Sequence, residues 1–256
     1  MLLTNDDGID APGLHALARA LKTCGHEVVI AAPNRDYSGY GAALGPLHVT
    51  GQVLFEDREI EDLLHVEAYA VDGPPALCAF SAVLGGFGGG FDVVVSGINA
   101  GQNQGRAVLF SGTVGAALAS VQFGVAAMAV SLAKRPDDLW HWDTAAVCAA
   151  SLVDSVHEMG PVAVLNVNVP NVRPYDLRGL KVAQLALGGQ VQTAMVEKEP
   201  GALELNFERF QPTPGTDVDL LRSGYVTLSL IEVARDLQGD ALDAIVAQLN
   251  PEELAG

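Results

Sequence analysis

The feature that most constrains this chain is a series of short apolar runs set between helical patterns. Glu27 to Ala32 (EVVIAA), Phe91 to Ser96 (FDVVVS), Val125 to Leu132 and Val162 to Val169 (VAVLNVNV) are apolar almost throughout. A strand that is apolar on both faces needs cover on both. Such runs therefore belong in a parallel sheet between two helical layers. Between them, Pro12 to Cys24 puts Leu14, Leu17, Ala18 and Leu21 on one stripe, with Pro12 in the first turn and Gly25 past the last. Pro75 to Leu84, Thr113 to Phe123 and Trp140 to Met159 read as further helices. Met1 to Thr4, Leu47 to Phe55 and Val66 to Val71 read as strands, and Gly85 to Gly90 as a flexible connection.

The texture changes near Pro170. Lys181 to Leu187, Gln190 to Val196 and Ala202 to Phe210 are short β patterns separated by Gly, Pro and Asp. Gly224 to Val233 reads as a returning strand and Leu237 to Leu249 as a terminal amphipathic helix. The expected division is an α/β core over 1–170 and a hairpin-rich region over 171–256 used in oligomerisation.

Charge narrows the function. The 256 residues carry 14 Lys and Arg against 31 Asp and Glu, a formal charge of −17. A nucleic-acid polymer or an anionic membrane calls for a basic face, so neither is an expected partner. A small phosphate ligand stays compatible, held by backbone N–H groups and a cation. Ala107 to Ala133 has no charged residue, but Ser111, Gly112, Thr113, Gly115, Ser120 and Gln122 fall within it; a buried helix and strand explain it better than a membrane span. Cys24, Cys78 and Cys148 form no CxxC pair and read as buried thiols in a reducing cytoplasm. The N-terminal residues have no basic stretch and reach two acids by Asp7, unlike a signal peptide.

Ligands of open α/β sheets bind beyond the carboxyl ends of the strands. Three loops rich in side-chain oxygen follow proposed strands: Asn5-Asp6-Asp7-Gly8, Asn34-Arg35-Asp36-Tyr37-Ser38-Gly39, and Gly97 to Gly105. Asp6 and Asp7 can converge in a turn that Gly8 permits, and two sheltered carboxylates then favour protonation unless a cation sits between them. Hard ions such as Mg²⁺ and Mn²⁺ take such oxygens, with Ser38 and Asn99 as neutral donors to the same ion. The tripeptide by itself favours a plain capped turn over a metal site, because Asp and Gly dominate turns. Ser111-Gly112-Thr113 opens a helix with free N–H groups and two hydroxyls, suited to phosphate or to plain N-capping. It lacks the P-loop lysine; HExxH and GxSxG are also absent from the sequence. Trp140 and Trp142 read as packing or interface residues rather than as a pair that stacks a base.

Several segments taken in order resemble the survival protein E (SurE) family of metal-dependent nucleotidases. They are Thr4-Asn5-Asp6-Asp7-Gly8-Ile9 with Ala11-Pro12-Gly13; Ala32-Pro33-Asn34-Arg35-Asp36-Tyr37-Ser38-Gly39; Val94 to Asn103; Ser111 to Ala117; Leu165-Asn166-Val167-Asn168-Val169-Pro170; and Thr216-Asp217 with Gly224-Tyr225-Val226. The resemblance implies a Rossmann-like three-layer α/β core with a mostly parallel sheet and a β-hairpin extension. It implies one divalent metal per subunit, Mn or Mg, on Asp6, Asp7, Ser38 and Asn99. Phosphate falls on Asn103, Ser111, Gly112 and Thr113. The implied activity is hydrolysis of nucleoside 5'- and 3'-monophosphates and of short polyphosphate, in a homodimer or homotetramer. Asp6 and Asp7 would be catalytic, positioning a metal-activated water. An aspartyl-phosphate route and a non-catalytic metal or nucleotide sensor are the alternatives.

Overall fold

The computed structural model describes residues 1–187, 191–209 and 211–232. Among the described residues nine strands form the main sheet, and the apolar runs supply its central members. In chain order they are β1 (Leu2–Thr4), β2 (Val29–Pro33), β3 (Phe55–Asp57), β4 (Glu67–Val71), β5 (Val93–Ala100), β6 (Ala126–Leu132), β7 (Val164–Val169), β8 (Leu180–Val182) and, after a separate hairpin of β9 (Val191–Glu199) and β10 (Ala202–Arg209), β11 (Val226–Ile231). The sheet runs β3-β4-β2-β1-β5-β6-β7-β11-β8. Neighbours from β4 to β7 are parallel, while β3 and β11 run antiparallel to β4 and β7.

Strand alternation divides the core between two faces. Leu3, Val93, Val95, Met128 and Val130 point to one side, against α1 (Pro12–Thr23) and α5 (Trp142–Met159). Leu2, Val94, Ala127 and Ala129 point to the other, against α3 (Pro75–Val83) and α4 (Gly112–Gln122). This is the expected three-layer, mostly parallel α/β fold. β1 connects outward to β2 while β5 connects the other way to β6, so the order reverses between β1 and β5. That reversal opens a crevice at the strands' carboxyl ends.

Several expectations need correction. Leu47 to Phe55 is not one strand: Leu47–Thr50 forms a single helical turn, α2, bracketed by Pro46 and by Gly51 at φ +63°, and only Phe55–Asp57 pairs. That segment has no buried face, so its β-branched residues gain nothing from a sheet; Val49 is exposed. β5 does not stop at Ser96 but runs to Ala100 through a shift in register between Ser96 and Asn99. Gly97 is there for close approach, since a Cβ would lie 2.3 Å from the Val130 carbonyl oxygen. α5 starts at Trp142, and a short α6 (Asp217–Arg222) was not foreseen. Only Cys78 of the three thiols is buried; Cys24 sits past the apolar stripe of α1 and is exposed. The helix expected over Leu237 to Leu249 lies outside the described residues. Among those residues no helix is long and apolar enough to cross a membrane.

Candidate active site

The chain turns as soon as β1 ends, and Asn5 makes the turn. Its Nδ2 donates to the Gly8 carbonyl at 2.9 Å and its Oδ1 accepts from the Gly8 amide at 3.2 Å. Gly8 takes φ +104°, and a Cβ there would lie 3.2 Å from the Arg35 backbone; both facts call for glycine. The turn sets Asp6 and Asp7 in the crevice between β1 and β5.

Asp6 is 3% exposed. Its Oδ1 accepts from the Thr113 hydroxyl at 2.7 Å, and its carbonyl accepts from the Tyr37 amide at 2.8 Å, which ties the second loop to the first. Asp7 Oδ2 accepts from the Ala100 amide at 3.1 Å. Burial is the main influence on both carboxyls and pushes their pKa up. For Asp7, burial and then the charge of Asp6 raise it to about 6. Asp36 adds more negative charge to both, and no Lys or Arg of the described residues is among the groups acting on them.

The neutral donors are oriented by what they donate. Asp36 Oδ1 accepts from both the amide and the hydroxyl of Ser38, each at 2.7 Å. Asn99 Nδ2 donates to the Gly101 carbonyl. Each bond spends a hydrogen on the protein, which leaves the Ser38 Oγ lone pairs and Asn99 Oδ1 available to a cation. A buried and a half-buried carboxylate with no basic partner among the described residues, beside two neutral oxygens, fit a hard divalent ion.

At the third edge, Ser111 caps α4, its Oγ accepting from the Val114 amide at 3.1 Å. Gly112 packs directly on Asp6: a Cβ would lie 2.8 Å from both Asp6 Cβ and Oδ2. The Thr113 hydroxyl, donating to Asp6, accepts from Asn103 Nδ2 at 3.3 Å. Asn103 Nδ2 also donates to Ser131 Oγ at 2.8 Å.

Asp6, Asp7, Ser38, Asn99, Asn103 and Ser111 thus line one cleft of about 330 Å³, with Ala107 and Phe110 on its wall. Gly112 and Thr113 do not line it; they stand behind Asp6, where Thr113 is fully buried. Sequence reasoning assigned no role to the groups that hold Asn103. Its amide donates to Asn168 Oδ1 at 2.8 Å, and its carbonyl accepts from Asn166 Nδ2 at 3.0 Å and Asn168 Nδ2 at 2.9 Å. The signal was available: two Asn at a spacing of two in an otherwise apolar strand need buried partners.

Fold and cleft together define a doubly wound α/β protein with an acidic, oxygen-lined crevice at its topological switch point. A family model described as Survival protein SurE matches residues 1–190. A protein named 5'-nucleotidase SurE from Xanthomonas euvesicatoria pv. vesicatoria is 34% identical over 241 residues, covering 91% of this chain and 89% of that protein. One of the same name from Chloroflexus aggregans is 35% identical over 243 residues, covering 91% and 92%. The crystal structure of a SurE protein from Aquifex aeolicus superposes with a TM-score of 0.74 at 29% identity, covering 96% of this chain and 97% of that one. The chain belongs to the survival protein SurE family.

Proposed function

We propose that this protein is a divalent-metal-dependent phosphomonoesterase acting on nucleoside 5'- and 3'-monophosphates and on short polyphosphate. The observation that carries the reading is the pair of Asp6, buried, and Asp7, half-buried beside it, with no basic partner among the described residues and with Ser38 and Asn99 lining the same cleft. The relatives named 5'-nucleotidase SurE support the substrate class.

Asp6, Asp7, Ser38 Oγ and Asn99 Oδ1 would hold one Mn²⁺ or Mg²⁺. When bound, such an ion supplies Lewis acidity toward the phosphoryl group and the attacking water. The carboxylates of Asp6 and Asp7 orient that water by accepting its hydrogens. The N-terminal end of α4, whose capping Ser111 lines the cleft, turns its positive dipole end toward the phosphoryl oxygens. Asn103 has both Nδ2 hydrogens engaged, and it donates to a phosphoryl oxygen by releasing the longer bond, that to Thr113. Thr113 then acts on Asp6 alone and keeps that carboxylate turned to the cleft. A homodimer or homotetramer working in the cytoplasm completes the proposal. The isolated β9–β10 ribbon, too small to be stable unaided, supports a role in assembly.

The deciding experiment is AMP hydrolysis before and after exhaustive chelation. Activity should vanish with EDTA and return with Mn²⁺ or Mg²⁺. Undiminished turnover after chelation and dialysis overturns the metal reading.

A further inference from the structure

A second pocket of about 440 Å³ adjoins the phosphate cleft, and Asp7 and Ala100 line both. Its far wall is made by Trp140 and Trp142, whose rings are stacked with centroids 4.9 Å apart and planes within 9°. We propose that the nucleoside half of the substrate lies in this pocket, its base extending the Trp140–Trp142 stack. The inference rests on the phosphomonoesterase reading above.

The wall is built rather than incidental. Trp142 packs under the start of α1 so closely that a Cβ on Gly13 would lie 2.8 Å from its Cζ3. The loop before it is pinned by Asn171, whose Oδ1 accepts from the His141 amide at 2.9 Å and whose Nδ2 donates to the Leu139 carbonyl at 2.8 Å. The Thr144 hydroxyl donates to the Val172 carbonyl at 2.8 Å one turn further on. Both indoles are still only half-buried and face the pocket. A platform fixed before the ligand arrives loses little freedom on binding.

Readers of the base edge are few here. Asp10 pairs with Arg58, Asn34 donates to Asp72, and Arg35 donates to the Tyr37 hydroxyl at 3.2 Å while lying over its ring. Asn34 Oδ1 and further Arg35 N–H groups remain for polar contacts, but the broadest surface offered to a base is the indole pair, and it meets the π-face that every base has. The expected selectivity is tolerance of base identity, with purines ahead of pyrimidines because they stack over more area.

The sequence contains two tryptophans, so its indole emission reports on this wall alone. AMP should quench that emission, while glycerol 2-phosphate, which carries the phosphate without a base, should not. Trp140→Ala should lower the ratio of kcat/KM for AMP to that for glycerol 2-phosphate by about tenfold or more, through KM. Trp140→Phe should restore most of the ratio, as a structural defect would not. AMP hydrolysis with unmoved emission and an unchanged ratio in Trp140→Ala overturns the inference and leaves the phosphomonoesterase standing. Failure of the wild type to hydrolyse either ester instead overturns the reading on which it rests.

Discussion

Asp6 and Asp217 are two aspartates buried to nearly the same degree, and their surroundings could hardly differ more. Asp217 is fully buried, and backbone amides serve both of its oxygens: Oδ2 accepts from Gly105 at 2.7 Å, Oδ1 from Ala186 and from Val218 at 2.9 Å each. Gln104 Nε2 donates to its carbonyl at 3.0 Å. Asp6 has the Thr113 hydroxyl, weaker help from the amides of Asp6 and Thr113, and like charges beside it. One carboxylate is a clasp between the C-terminal region and the loop that carries Asn103. The other is placed against its own solvation, the arrangement expected where a cation completes the charge balance.

The comparison breaks if the two residues respond alike to the same change. Asp6→Asn should cut kcat/KM for AMP by on the order of a thousandfold, a loss typical of a removed electrostatic group at a reacting phosphate or carbonyl centre. Its metal-free stability should be unchanged or higher, because one of two repelling acids is gone. Asp217→Asn should do the reverse. An amide NH₂ set against backbone N–H donors leaves buried groups unpaired, and urea denaturation should show a loss of about 3 kcal/mol or more. Activity at a temperature where that variant stays folded should fall far less than in Asp6→Asn.

This contrast also measures what was readable in the chain. Asp6, Asp7, Ser38 and Asn99 stood out because hard oxygens clustered after proposed strands, and the strands were legible from apolar runs. Asp217 stood out only as part of the Thr216-Asp217 segment, with no role attached to it. Its function depends on amides from Gly105, Ala186 and Val218, two of them far away in sequence. Backbone donors are invisible in a list of side chains. The same blindness hid the continuation of β5, since Gly97 resembles a terminator until the Val130 carbonyl beside it is seen. Leu47 to Thr50 failed for the opposite reason: local β preference was plain, but no sheet edge was there to receive it.

Gly112 offers a finer test, as it touches Asp6 and not Asp217. A methyl group in Gly112→Ala would meet Asp6 Cβ and Oδ2 at 2.8 Å and Pro75 Cγ at 3.0 Å. Over-packing of this kind costs about 1–3 kcal/mol. The carboxylate should be displaced, so kcat/KM should drop more steeply than the melting temperature suggests. Asp7 gives the corresponding pH dependence. Its pKa stands at about 6 in the folded chain, above the ordinary carboxylate value, so between about pH 4 and 6 the folded state holds a proton that the unfolded state has released. Asp7 should therefore contribute stability to the metal-free protein below that window, and that contribution should be lost as pH rises through it. Added Mn²⁺ should reverse the loss at neutral pH, and calorimetric scans across the window in EDTA and in Mn²⁺ check both halves.

The smallest effect lies furthest from the carboxylate. Ser131 Oγ accepts from Asn103 Nδ2 at 2.8 Å, Asn103 donates to Thr113, and Thr113 donates to Asp6. Ser131→Ala removes one acceptor and leaves a largely buried amide hydrogen unpaired, at about 1 kcal/mol. If Asn103 meets phosphate only by loosening one of its two bonds, loss of the Ser131 bond frees a hydrogen for the substrate while blurring its aim. KM for AMP should then shift little, and kcat should fall several-fold. A pure loss of stability with both constants intact would show that the Ser131–Asn103–Thr113 chain merely packs, and would leave Thr113 alone in steering Asp6.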